Sequence, residues 1–207
     1  MDKEKKSFSE TRFYPIVFMI IAALLFGTIL AVFYHSTIKK VELHNELRLK
    51  KSVLTLFSLP SDEVLDNFDK YIIESEKDGY QYYIAYRDEE KIGYCFMIHG
   101  AGLWGSITCL VGVDPEFEKL IAIHILNQSE TPGLGGRISE PQFQEQFASK
   151  PIFEGGEVLN YRLVPEKDSA NETEINQITG ATASSKAIVD MLTDNLKRIF
   201  EALGDQL

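Results

Sequence analysis

The chain has 207 residues with 21 basic and 31 acidic side chains, a formal net charge of −10. Residues 1–40 hold 6 of the basic and 3 of the acidic groups, which leaves 15 and 28 for residues 41–207, a net of −13, and such a surface argues against nucleic acid or anionic lipid headgroups as partners of the main body. Four scattered histidines (His35, His44, His99, His124) and two cysteines (Cys95, Cys109) offer no ligand spacing for zinc or an iron–sulfur centre, and no nucleophile–base constellation stands out, so neither a metal nor an independent active site is expected.

Phe13–Tyr34 is an uncharged apolar run, long enough at about 1.5 Å per residue to cross a bilayer core, with Tyr14 and Tyr34 placed as interfacial aromatics. The run exceeds a typical signal-peptide core and no Ala-x-Ala site follows it, so an uncleaved anchor is the reading. Lys3, Lys5, Lys6 and Arg12 precede the span, and Lys39, Lys40, Arg48, Lys50 and Lys51 follow it. Charge therefore gives no orientation. From Ile38 to Leu59, Val41, Leu47 and Leu54 lie among basic residues as a helix leaving the membrane, stopped by Pro60. Ser61 then caps a second helix with Val64, Leu65, Phe68, Tyr71 and Ile72 on one side.

Four strands are predicted next, at Tyr80–Arg87, Lys91–His99, Ser106–Val113 and Lys119–Leu126, rich in aromatic and β-branched residues. A hairpin centred near Gly102 sets Cys95 opposite Cys109; a disulfide and two buried thiols are the two readings, with the thiols preferred. After the glycine-rich segment Ser129–Ile138, Ser139-Glu140-Pro141-Gln142 reads as a capping box opening a helix toward Lys150. Val158–Val164 is another strand and 166–174 a polar loop. Asn176 to Gly180 is turn-like. Ile188, Leu192, Leu196, Ile199 and Leu203 then mark one face of an amphipathic helix running from Ala183, with Thr182 as N-cap. The fold class is α+β, a mainly antiparallel sheet packed by helices behind one transmembrane helix.

The entrance of the last helix has two readings: an ordinary cap at Thr182, or an anion site made by free N–H groups and partial positive charge. Asn176-Gln177-Ile178-Thr179-Gly180-Ala181-Thr182 resembles the flavinylation motif of the FMN-binding subunits RnfG and NqrC, in which the last threonine carries FMN through a phosphoester attached by a dedicated flavin transferase. The family motif usually begins with Asp; Asn176 keeps the shape and a carbonyl acceptor and loses the charge. Ser129-Glu130-Thr131-Pro132-Gly133-Leu134-Gly135-Gly136-Arg137-Ile138, on its own a glycine-rich turn, resembles the family's Glu-Thr-Pro-Gly-Leu-Gly loop, which lies against the flavin ring. Gly102-Leu103-Trp104-Gly105 is similar to a Gly-Leu-Trp element of Nqr-type members.

The resemblance implies covalent FMN on Thr182, with Thr179, Gly180 and Ala181 forming the turn before it and backbone donors of Ala183, Ser184 and Ser185 near the phosphate. Glu130, Thr131 and Leu134 would border the ring. Trp104 is either beside the ring or a core aromatic, and Lys186 either neutralises the phosphate or is solvated. The implied protein is a membrane-anchored electron-transfer subunit of an Rnf-type ion-translocating ferredoxin:NAD oxidoreductase. The equivalent subunit of a Na⁺-translocating NADH:quinone oxidoreductase and a flavin-free anchored assembly domain are the alternatives. Short length leans toward Rnf, Leu103-Trp104 toward Nqr. Implied partners are the other membrane subunits, a flavin transferase and the lipid bilayer of the bacterial inner membrane. The implied layout is a cytoplasmic tail (1–12), transmembrane helix (13–34), helical connector (35–60) and extracytoplasmic FMN-binding domain (61–207).

Overall fold

Helix α1, Tyr14–Leu56, carries the apolar run without interruption into the segment expected to leave the membrane. The structure, a computed structural model, describes residues 13–166 and 171–203, and the chain divides into units 1–46 and 47–207. The expected tail, residues 1–12, lies outside the described residues. In the first unit the most apolar window of α1 has a mean hydropathy of 2.9 and no residue buried against the described residues of the chain. Thr28, Ser36 and Thr37 donate back to Leu24 O (2.7 Å), Val32 O (2.9 Å) and Phe33 O (2.7 Å), which satisfies each hydroxyl inside the helix. Among the described residues this is one helix long and apolar enough to cross a membrane.

In the second unit, α1 stops at Leu56 because Ser58 turns left-handed (φ 52°) and the chain closes on itself: Leu59 N donates to Leu54 O (2.9 Å) and Ser58 N to Thr55 O (3.0 Å). This is a Schellman end, set two residues before the predicted stop at Pro60. Helix α2, Val64–Tyr71, begins after Glu63 with no side-chain cap, so Ser61 does not take that role. Ile72 leaves the helix in extended conformation and opens β1, Ile72–Lys77, a strand the sequence hid behind a helical spacing.

The sheet is an antiparallel meander of β1, β2 (Tyr80–Arg87), β3 (Glu90–Ala101), β4 (Ser106–Val113) and β5 (Leu120–Asn127). Strand alternation divides it into two apolar faces. On one, Val53 and Leu54 of α1, Phe57 just after it and Phe68 of α2 pack on Ala85, Cys95 and Leu110. On the other, Phe96, Ile98, Ile107, Cys109 and Val111 pack beneath the last helix. The outer edge of β5 is covered by the segment that follows it: Leu120 N donates to Lys150 O (2.8 Å), and Ile125 N to the Gln144 carboxamide (2.9 Å).

That segment does not form the helix expected to Lys150. It breaks into α3, Pro141–Gln144, and a 3₁₀ turn at Glu145–Phe147, with Glu140 rather than Ser139 at the N-cap and no capping bond from its side chain. With the N-cap at Glu140, Ser139 and Gln142 no longer occupy the cap and third helical positions that the box requires, and Gln144 instead bonds Ile125 N and Ser139 O. Val158–Val164 is likewise two pieces. Phe153–Glu154 (β6) pairs with Glu157–Val158 (β7), and Arg162–Val164 (β8) runs parallel to Glu174–Asn176 (β9). Helix α4, Thr182–Leu203, lays Ile188, Leu192, Leu196, Ile199 and Leu203 on the sheet as predicted.

The β3–β4 register pairs Ala101 with Ser106, so the hairpin is centred between Leu103 and Trp104, and Cys95 faces Gly112 while Cys109 faces Ile98. The two thiols belong to opposite faces of the sheet and are free. The disulfide reading is excluded. Burial raises the pKa of both thiols, that of Cys109 to about 12.

Candidate functional site

Three segments far apart in sequence meet at the start of α4: the β3–β4 tip Gly102–Gly105, the loop 129–136 and the turn 176–181. The first helical bond of α4 runs from Ser185 N to Ala181 O (2.9 Å), which makes Ala181 the N-cap and Thr182 the first helical residue, one place earlier than predicted. The Thr182 hydroxyl is therefore not consumed in capping, and the side chain is exposed. The N–H groups of Thr182, Ala183 and Ser184 have no acceptor within the helix. Ser185 N–H is already in the helix. Its buried hydroxyl accepts from Ile178 N (3.1 Å) and donates to Ala181 O (3.0 Å), so this residue fastens the turn.

Upstream, Gln146 clasps the main chain of Asn176, accepting from its N–H (2.7 Å) and donating to its carbonyl (3.2 Å). Thr179 donates to Glu166 (2.9 Å), and the exposed Gly180 lies against Leu134. The turn that presents Thr182 is thus held from three sides by side chains. Lys186 is exposed and paired with Asp190 at 2.6 Å, one helical turn further on.

Glu130 joins the tip and its own loop to the first turn of α4. Only 5 % exposed, it accepts at Oε1 from Leu103 N (2.7 Å) and Trp104 N (3.1 Å), and at Oε2 from the Ser184 hydroxyl (2.6 Å). Two glycines make this approach possible. A Cβ on Gly102 would stand 2.3 Å from Glu130 Oε1, and one on Gly135 would stand 2.4 Å from Ser184 Oγ. Around this buried carboxylate three large apolar side chains face outward: Leu103, Trp104 and Leu134, 58, 72 and 50 % exposed. The reading of Trp104 as a core aromatic is excluded. Thr131 is exposed beside them.

A cleft of about 500 Å³ runs between β3 and the outer face of α4, lined by His99 to Leu103 on one wall and Ala183, Lys186, Asp190 and Met191 on the other. A second, about 550 Å³, continues over Gly102 to Ser106 and includes Trp104. Both lie within the roughly 300–1,000 Å³ of small-molecule and cofactor sites. Of the residues expected at the site, Thr182, Ala183, Ser184, Glu130, Leu134 and Trp104 come together here, while Ser185 is turned inward. Sequence reasoning did not find His99, Asp190, Met191, Gln146 or Glu166, since each arrives through tertiary packing with no local signature.

Residues 102–197 match the family described as FMN-binding domain. The NqrC subunit of the Na⁺-translocating NADH-quinone reductase of Neisseria meningitidis is 31 % identical over 117 residues, 56 % of this chain and 45 % of that one; this chain thus spans about half the length of that relative. The RnfG-type subunit of the proton-translocating ferredoxin:NAD⁺ oxidoreductase complex of Clostridium ljungdahlii is 29 % identical over 191 residues, 90 % of each chain. The solved structure of the NqrC subunit of the Na⁺-translocating NADH-quinone reductase of Parabacteroides distasonis superposes with a TM-score of 0.68 at 26 % identity, covering 82 % of this chain and 98 % of that one. The expected α+β fold with a mainly antiparallel sheet is the fold observed. The chain carries an FMN-binding domain and is a homologue of the RnfG and NqrC subunits.

Proposed function

We propose that this chain is the membrane-anchored electron-transfer subunit of an Rnf-type ion-translocating ferredoxin:NAD oxidoreductase complex, with FMN joined through its phosphate to Thr182. The observation that carries this reading is an exposed, uncommitted threonine hydroxyl on the first turn of α4, beside three open N–H groups, within a matched FMN-binding domain. The site fits the group in size and chemistry. A helix start favours a phosphate, and the exposed Leu103, Trp104 and Leu134 supply apolar surface for a ring.

FMN, when bound, exchanges one or two electrons. The chain's own part is to hold and tune it. The N–H groups of Thr182, Ala183 and Ser184 would face the phosphate, Thr179 to Ala181 would present the hydroxyl, and Thr131, Leu134 and Trp104 would border the ring and limit water. Lys186, one turn from Thr182, would share its charge between Asp190 and the phosphate. The apolar stretch of α1 would place the protein as a single-pass subunit of the inner membrane, tail in the cytoplasm and FMN domain outside, where a covalent bond prevents loss of cofactor by dilution. Maturation would require a flavin transferase, and function the other membrane subunits.

A match over 90 % of both chains to the Clostridium RnfG-type relative, against 45 % of the Neisseria NqrC relative, favours Rnf. The Gly102-Leu103-Trp104 element keeps NqrC as the second reading. Expressed with a flavin transferase, denatured and run on a gel, the wild-type band fluoresces yellow and Thr182→Ala is dark. A dark wild type supports the flavin-free assembly domain instead; a bright Thr182→Ala moves the attachment elsewhere. The subunits that purify with the chain decide between Rnf and Nqr.

A further inference from the structure

We propose that Glu130 is a positioning residue: its buried carboxylate fixes the tip carrying Leu103 and Trp104 to the start of α4, so that the apolar wall and the attachment hydroxyl present one geometry to the flavin. The link between tip and helix stands without the FMN reading; its consequence for the flavin rests on that reading.

Closing the tip needs only its own bond from Gly102 N to Gly105 O (2.7 Å). That bond fixes the shape of the turn and leaves its place relative to α4 open. Glu130 supplies the missing connection, because one oxygen takes both tip N–H groups and the other takes the Ser184 hydroxyl. An anion in so enclosed a place is tolerated only where its lone pairs are met by donors. Three charge-assisted bonds meet them, each stronger than its neutral counterpart. The Ser184 hydroxyl is thereby spent on Glu130, two residues past Thr182, which leaves the phosphate to backbone donors. Gly102 and Gly135 admit the carboxylate where any side chain would displace it. Thr131 and Leu134, two of the exposed side chains of this loop, then lie on the outer side.

Side-chain length and chemistry separate the variants. Gln at 130 keeps an acceptor for Leu103 and Trp104, and the Ser184 hydroxyl can rotate to accept from its amide. Asp keeps the charge but is one methylene short of spanning tip and helix. Ala removes the connection altogether. Trp104 is the single tryptophan of the chain, so its emission reports the tip directly.

The experiment uses the full chain in detergent, prepared without and with a flavin transferase. In the flavin-free form, amide exchange at Leu103 and Trp104 accelerates at least tenfold in Glu130→Ala and Glu130→Asp, with the sheet amides unchanged, and stays within twofold of wild type in Glu130→Gln. In the loaded form, quenching of Trp104 emission by the flavin is lost in the first two variants and restored in Glu130→Gln. Wild-type exchange at the tip in Glu130→Ala overturns the proposal. So does faster exchange with quenching and flavin absorption unchanged, since tip position would then not matter to the flavin. If Glu130→Ala does not fold, Ser184→Ala cuts only the tie to the helix; reduced quenching supports the proposal, and wild-type quenching overturns it. A wild type that takes up no flavin sinks the FMN reading alone, and the exchange at the tip still decides whether Glu130 ties it.

Discussion

Two hairpin turns lie at the same end of the sheet and are built on different principles. Between β1 and β2, Lys77 and Tyr80 bracket Asp78 and Gly79, both left-handed (φ 51° and 81°), the pairing of a type I′ turn whose twist matches its strands. A Cβ on Gly79 would meet no atom within 4 Å. Between β3 and β4, Ala101 and Ser106 bracket four residues, and a Cβ on Gly102 would collide with Glu130. The first turn is written by backbone conformation alone, the second by what rests against it. The first holds a small polar residue; the second carries two large apolar side chains into solvent, where they cost solubility and contribute no packing. That difference in construction locates the site more surely than the glycines do, because both turns have them.

The contrast can be broken or sharpened by substitution. Gly102→Ala, crowding Glu130 Oε1, Gly105 O and Ile107 together, is expected to cost about 2–3 kcal/mol by overpacking and to lower flavin loading. Gly79→Ala meets only the left-handed strain, about 1 kcal/mol, and leaves loading intact. Urea unfolding followed by circular dichroism, with flavin absorbance beside it, compares the two; equal costs would erase the distinction. Trp104→Ala should change stability by less than about 0.5 kcal/mol, since the ring is exposed, while altering the flavin spectrum of loaded protein. Smallest of all, the β3–β4 register predicts no thiol chemistry in the folded state. Burial holds both thiols protonated at pH 8, so Cys95 and Cys109 resist alkylation until the chain is denatured without reductant, when both react. A failure of either to react then contradicts the register that centres the tip.

Where hydrophobic periodicity is local, the sequence was readable. β2 and β4 begin and end where alternation and turn residues place them, and the stripe Ile188 to Leu203 is the buried face of α4. β1 was hidden because Ile72 continues the spacing of α2 and the rest of the strand, Glu74 to Lys77, is the charged edge of the sheet. Val158–Val164 is β-like in composition throughout, but its partner changes from β6 to β9 midway, a choice made by tertiary packing. At the site, the family motifs pointed to Thr182, Glu130 and Trp104, and local spacing put the cap one residue late. The bond between Ser184 and Glu130 joins positions 54 apart, and no window of sequence contains it. The clasp of Gln146 on Asn176 lies beyond local reading for the same reason.

The central claim is an ester bond at one oxygen. Chain isolated from its native host membrane, digested with trypsin and fragmented in the mass spectrometer, should give a peptide ending at Lys186 in which Thr182 carries one FMN less one water. An unmodified Thr182 in that peptide, or the same mass on Thr179, Ser184 or Ser185, contradicts the account.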